Sequence, residues 1–237
     1  MINHQSCAIV TARKGSKGLV NKNILPFKDS NLTQFSIDFL IELNIFDKII
    51  LSTDIETLIL KNNNKKEIHI STRPENLAND NTSQVEVVLD ILEKEKLKGI
   101  SYSHIFLFQP TSPFRKFSEI IKGFKELTSN KESNSIVGVS DPLSDPSDCL
   151  IESNCETMKF ILPRELNSQR QEFKQTYFIN GTFYGCKTDY FIKNKSFFDL
   201  KKSHLLLMSD YASIDIDKEI DYQIANLLIK KFKYNDI

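Results

Sequence analysis

The chain has no net charge: 31 Lys and Arg stand against 31 Asp and Glu in 237 residues. That balance excludes a global field that would draw nucleic acid or an anionic membrane, so an anion site has to be assembled locally. Cysteine occurs four times, at 7, 149, 155 and 186, with no C-x-x-C pair and no histidine at zinc spacing. Neither a metal knot nor a disulfide framework is suggested, and free thiols in a reducing compartment follow. No apolar run approaches the roughly 20 residues of a membrane-spanning helix, and the first residues lack the apolar core of a secretion signal. A soluble cytoplasmic protein without membrane or nucleic-acid partners is expected. Two phosphate-binding signatures are also missing, G-x-x-x-x-G-K-[ST] and G-x-G-x-x-G, so neither a P-loop kinase nor a dinucleotide oxidoreductase is supported.

What remains is a chain, 40% hydrophobic, long enough for one sizeable core and short for two. A single domain over 1–237 is expected. Strand-like runs alternate with helical patterns: Cys7 to Thr11, 47–54, Glu67 to Thr72, 103–110 and Ser135 to Val139 read as strands, the fourth stopped by Pro110. Leu32 to Leu43, Glu56 to Asn62, Ser83 to Lys96, Phe117 to Ser129 and a last segment from Asp221 to about Phe232 read as helices. Such alternation implies βαβ units and a mainly parallel, doubly wound α/β sheet, with ligands beyond the carboxyl ends of its strands. From 141 to 178 the rhythm breaks into a polar, proline-punctuated segment. An excursion of that length is uncommon unless it closes a site or reaches a partner.

Three polar stretches fall at strand ends. "TARKGSKGLVNKN" (11–23) packs Arg13, Lys14, Lys17 and Lys22 around Gly15 and Gly18. The glycines permit close backbone approach and the cations suit oxygens bearing several negative charges, such as a triphosphate. The bland alternative is a basic surface loop, less fitting for four cations and two glycines at one strand end. "SIDIDKEIDY" places Asp215 and Asp217 two apart, so an extended backbone turns both carboxylates to one face. They could hold a hard cation such as magnesium, or mark the wet face of a half-buried strand. "FQPTSPFR" (108–115) offers the Gln109 amide and the hydroxyls of Thr111 and Ser112, or is a proline-rich connection. The four histidines show no nucleophile pattern and read as structural.

In order, "ARKGSKGLVNKN", "IILSTD", "RPENLANDNTS", "FLFQPTSPFR", "SQRQEF", "FINGTFY", "NKSFF" and "SIDIDKEID" resemble the acylneuraminate cytidylyltransferase family over almost the whole chain. The resemblance implies a Rossmann-like, three-layer nucleotidyltransferase fold with a mixed, mainly parallel sheet and a protruding dimerisation arm over 141–178. It implies transfer of CMP from CTP to the anomeric hydroxyl of a nonulosonic acid, with release of pyrophosphate, in a homodimer. Arg13, Ser16, Lys17, Gly18, Lys22, Asn23 and Ser83 would bind the nucleotide, and Gln109, Arg170, Asn180, Tyr184, Phe197 and Phe198 the sugar. Asp215 and Asp217 would hold Mg2+, with Mn2+ as a substitute, and Arg13, Lys22 and Asp215 would carry catalysis. Sialic-acid enzymes of the family often carry a lysine near Asp148 and an arginine at the position of Phe178. Neither cation is present, which makes a legionaminic-type or pseudaminic-type acid at least as fitting as sialic acid. Enzymes for Kdo differ in the first loop and lack "QPTSP". The rival readings are a Kdo-type or other sugar nucleotidyltransferase, a D-x-D glycosyltransferase and a silent nucleotide-binding scaffold.

Overall fold

Cys7, Ala8, Ile9 and Val10 are all fully buried, and a strand apolar on both faces belongs at the centre of a sheet covered on both sides. In the computed structural model, which describes residues 2–16, 18–154, 157–162 and 175–231, these residues form β1 (Ile2–Ala12). A short hairpin follows, β2 (Pro26–Phe27) with β3 (Ser30–Asn31), then α1 (Leu32–Leu43), β4 (Lys48–Thr53), α2 (Glu56–Asn62) and β5 (Ile68–Thr72). The chain continues through α3 (Gln84–Leu97), β6 (Ile100–Phe108), α4 (Phe117–Ser129) and β7 (Ser135–Ser140). Beyond lie β8 (Leu150–Asn154), β9 (Thr157–Phe160), β10 (Phe178–Lys187), α5 (Thr188–Asn194), β11 (Ser203–Leu207) and α6 (Glu219–Lys231).

The main sheet runs β11-β7-β10-β6-β1-β4-β5. Its strands pair in parallel except β10, which is antiparallel to both β6 and β7. Alternate residues of the same strands feed two cores. Ala8, Val10, Phe106, Phe108 and Phe183 pack with Ile37 and Leu40 of α1 and Ile120 of α4. Cys7, Ile9, Ile105 and Leu107 pack with Val88 and Ile91 of α3 and Phe191 of α5. The result is the expected three-layer, mainly parallel α/β architecture. Among the described residues no helix is long and apolar enough to cross a membrane.

Local chemistry explains several boundaries. Asn31 caps α1 by accepting from the Gln34 amide at 2.9 Å, and Asn44 closes it in the left-handed region at φ 47°. Ser83 and Glu86 form a capping box at the start of α3. β6 begins at Ile100, earlier than the apolar run from 103 suggests, and ends at Phe108, two residues before Pro110. Its first residues alternate polar and apolar, which hides a strand whose outer half is wet.

One expectation needs correction and one alternative falls away. The 141–178 segment is not structureless: it holds a 3-10 turn at Pro146–Asp148 and the antiparallel hairpin β8–β9, with Leu150 opposite Phe160. The hairpin was hidden because its strands are short, polar in part and shifted in register between Glu152 and Asn154. Its sheet is separate from the main one. The Asp215 and Asp217 segment is extended but unpaired, lying between a 3-10 turn (Asp210–Ser213) and α6, rather than in a strand. The last helix spans Glu219–Lys231; its expected end at Phe232 lies outside the described residues. β11 and α5 carried too short a pattern to be read from sequence.

Candidate active site

Because the strands run parallel, the loops after β1, β5 and β6 gather at one end of the sheet, and there they line a cleft of about 480 Å3. The loop after β1 supplies Arg13, Ser16, Gly18, Lys22 and Asn23 to its wall. Several contacts hold that loop. Asn23, nearly buried, donates from its amide to the Arg13 carbonyl at 2.9 Å, while its own carbonyl accepts from Thr33 at 2.7 Å. Asp54, after β4, accepts from the Lys14 backbone N–H at 2.7 Å. Gly15 turns in the left-handed region at φ +68°. At Gly18 a Cβ would stand 2.8 Å from the Asp217 carbonyl oxygen, so only glycine lets the basic loop lie against the carboxylate segment.

That segment lines the opposite wall with Asp215, Asp217 and Lys218. Ile216 between them is fully buried among Phe27, Phe35 and Phe114, which turns both carboxylates to the cleft. Ile216 N–H donates to the Thr111 carbonyl at 2.8 Å and Ser112 Oγ donates to Asp215 at 3.3 Å. The "QPTSPFR" turn therefore holds the segment that carries Asp215 and Asp217. Burial raises the Asp215 carboxyl above its usual range and the Asp217 charge adds to this, against hydrogen bonds from Thr111 and Ser112 and the Lys22 charge. The two sides of the cleft meet directly: Lys22 Nζ lies 2.6 Å from Asp217 Oδ1 across 195 residues of sequence. Arg13 forms an ion pair with Asp80.

One cleft residue is absent from the sequence-based site. Arg73 follows β5, is 6% exposed and lines the cleft beside Arg13. One of its Nη groups donates to the Ser52 carbonyl, but its buried Nε has no hydrogen-bond partner. Burial depresses its pKa to about 10, with Asp54 opposing and Arg13 reinforcing the shift. A largely buried guanidinium that lines a cavity suits an anionic or polar ligand. Its signal was present in "TRPEN", where an arginine follows an apolar strand. The cleft is also walled by Thr11, Thr82, Gln84 and Val87, with Thr11 Oγ1 donating to Gln84 at 2.9 Å.

The expected nucleotide and sugar residues divide by position. Arg13, Ser16, Gly18, Lys22, Asn23 and Gln109 line the cleft with Asp215 and Asp217. Ser83 sits between two lining residues, its hydroxyl bonded to Glu86 at 2.8 Å in the helix cap. Asn180 is 1% exposed; its Oδ1 accepts from the Thr182 backbone at 3.1 Å and its Nδ2 has no partner. Burial raises the Tyr184 hydroxyl pKa, with the Asp215 charge adding to the shift. Phe197 packs into the α3/α5 core, 4.6 Å from Phe191 and 5.9 Å from Tyr184, and Phe198 follows it half-buried. Asn180, Tyr184, Phe197 and Phe198 are not part of the cleft wall. Lys17 and Arg170 lie outside the described residues.

A family model for cytidylyltransferases matches residues 7–230. The chain belongs to the cytidylyltransferase family. This cytidylyltransferase is 31% identical to the CMP-N,N'-diacetyllegionaminic acid synthase of Legionella pneumophila, over 94% of this chain and 95% of that one. It is 28% identical to the N-acylneuraminate cytidylyltransferase of Escherichia coli, over 94% of this chain and 52% of that one. In fold it is similar to a CMP:2-keto-3-deoxy-manno-octonic acid synthetase solved with CTP, at a TM-score of 0.68 and 11% identity, covering 96% of this chain and all of that one. The enzyme is a nucleotidyltransferase, and its cleft sets cationic side chains opposite two carboxylates.

Proposed function

We propose that the enzyme transfers CMP from CTP to the anomeric hydroxyl of a nonulosonic acid and releases pyrophosphate. The observation that carries this reading is the cleft itself, in which Arg13 and Lys22 stand on one wall and Asp215 and Asp217 on the other, near enough for a 2.6 Å ion pair. The substrate class is supported by relatives whose names specify CMP-legionaminic and N-acylneuraminic acid products over nearly the whole of this chain. Among those acids a legionaminic type is favoured. Positions 148 and 178, where sialic-acid enzymes of the resembled family often carry cations, hold Asp and a half-exposed Phe.

Asp215 and Asp217 fit a divalent cation, Mg2+ or its substitute Mn2+. They are like charges on one wall, with the charge of one raising the pKa of the other, an arrangement that a cation relieves. Magnesium is commonly held by one or two carboxylates, with waters and substrate phosphates completing its shell. When bound it neutralises triphosphate charge. The chain's own residues do the rest by position and charge. Arg13 and Lys22 bind phosphate oxygens and stabilise the departing pyrophosphate. The anomeric oxygen forms its bond to the α-phosphorus as the bond to pyrophosphate breaks, and the hydroxyl proton leaves to the cleft carboxylates or to water. Holding the two reactants in line supplies the remaining advantage.

A homodimer is part of the proposal. Leu143, Leu150, Met158, Ile161 and Phe178, all from the 141–178 excursion, are 48–82% exposed. Apolar surface concentrated on one excursion marks an interface, and light scattering in solution tests it. The function itself is tested by a panel of CTP, UTP, ATP and GTP against sialic, legionaminic, pseudaminic and Kdo-type acids, read by pyrophosphate release. CTP with a nonulosonic acid is expected to give the highest kcat/KM. Preference for another nucleotide, or consumption of a nucleotide sugar without pyrophosphate, would overturn the reading.

A further inference from the structure

We propose that Arg115 is a positioning residue for catalysis, whose buried guanidinium sets the separation between the turn carrying Gln109 and the segment carrying Asp215 and Asp217. Arg115 closes the stretch "QPTSPFR" and, at 1% exposed, heads the largest fully buried side chains. Its guanidinium carbon lies 5.5 Å from the Phe108 ring centroid and 6.0 Å from that of Phe39. The fork reaches three segments, two of them remote in sequence. Nε donates to the Thr182 carbonyl at 3.2 Å, Nη1 to Ser36 Oγ at 3.0 Å, and Nη2 to the Gln109 carbonyl.

Two of those partners lead to the cleft. The Gln109 carbonyl belongs to a residue of the cleft wall. Thr182 passes the constraint on, because its Oγ1 donates to the Ala212 carbonyl at 2.9 Å, three residues before Asp215. The same turn grips the far side of that segment through Thr111 to Ile216 and Ser112 to Asp215. There is little slack between the pieces. Gly181 sits at φ +73°, and a Cβ there would stand 2.7 Å from Gln109 Oε1 and 2.9 Å from Ser112 Oγ.

Burying a guanidinium among phenylalanines is costly, and an apolar side chain would fill the same space without that cost. What an apolar residue cannot do is hold two backbone carbonyls and a hydroxyl in one plane at fixed angles, and neither can lysine, a point charge on a flexible stem. The function that fits is geometric. A displacement of about 1 Å at a reacting centre can cost on the order of 100-fold in rate.

The test compares Arg115→Lys and Arg115→Ala with the wild-type full chain, using pyrophosphate release from CTP and any acid the wild type turns over. Arg115→Lys is expected to lose about 100-fold in kcat. Its KM for CTP should stay within about threefold, because Arg13, Lys22 and Arg73 are untouched; a loss of folding alone also lowers apparent kcat at constant KM, so kcat is expressed per folded molecule, with the folded fraction measured by circular dichroism. Millimolar guanidinium should restore turnover to Arg115→Ala saturably, and sodium chloride at equal ionic strength should not. Should both variants fail to fold, Thr182→Val decides: it keeps the carbonyl bound by Arg115 and removes the hydroxyl's bond to the Ala212 carbonyl, together with a longer 3.4 Å contact to the Asn180 carbonyl. A kcat-selective loss in that variant supports the proposal, and unchanged kcat overturns it. Arg115→Lys with wild-type turnover, or losses that track the folded fraction with no rescue, also overturns it. A wild type that releases no pyrophosphate from CTP refutes the proposed function instead, so the two failures are separate.

Discussion

Replacing Lys22 by methionine separates what the Lys22–Asp217 pair does for the fold from what it does for the reaction. At 2.6 Å two unit charges attract by roughly 1.6 kcal/mol in water and about 6 kcal/mol at the dielectric of a protein surface. Little of that reaches stability. Asp217 is 64% and Lys22 22% exposed, and ion pairs at such sites contribute about 0.2–1 kcal/mol once side-chain entropy and solvation are counted. For a chain of this size each kcal/mol moves Tm by about 2–4 °C, so Lys22→Met should melt within about 4 °C of the wild type. Turnover should fall much further. Loss of one preorganised charge at a reacting phosphate costs roughly 2.7–4 kcal/mol, or 100- to 1,000-fold. Differential scanning fluorimetry and a coupled pyrophosphate assay at saturating CTP and magnesium measure the two effects. Asp217→Asn serves as the partner variant, with the same small Tm change and its activity loss expressed mainly as a higher magnesium requirement. A Tm fall above about 8 °C, or kcat within threefold of wild type, would show that the pair is structural and refute the assignment of Lys22 to the phosphates.

Asp80→Asn should lower the KM for CTP severalfold with little change in kcat, because Arg13 then no longer has to leave a charged partner to meet a phosphate; initial-rate kinetics measure it, and a raised KM would mean that Asp80 presents Arg13 to the nucleotide. Glu119→Gln should raise Tm at neutral pH. Burial lifts the Glu119 carboxyl above its usual 4.5, against a backbone hydrogen bond from Ser209 among others, and one carboxylate oxygen is buried without a partner. The folded chain thus holds the proton more tightly than the unfolded one, so this group's stability contribution falls as pH rises from 4.5 through the folded pKa, and the penalty is complete above it. Glutamine keeps an acceptor for the Ser209 N–H. The Tm gain should vanish below about pH 4.5, and a gain independent of pH, or a loss at neutral pH, would contradict the attribution.

Much of the fold was legible because its signals are local. Apolar runs flanked by turn formers located five of the seven main-sheet strands, and α1, α2 and α4 begin and end at the residues their patterns indicate. The reversal of β10 between β6 and β7 was not legible, since strand direction is decided by which neighbours pair. Neither was β11, an edge strand whose Leu205 and Leu207 are half exposed and whose pattern is only five residues long.

The site divides along the same line. Residue types and spacing alone marked a basic, glycine-bearing loop after β1 and a pair of carboxylates two apart near the other end, because an extended backbone turns alternate side chains to one side whatever the context. Only the tertiary structure brought Lys22 to Asp217, added Arg73 to the cleft and placed Phe197 in the core. The physical reason is distance along the chain: backbone geometry is written residue by residue, whereas contacts across 195 positions exist only after the parallel strands have stacked their loops at one edge of the sheet.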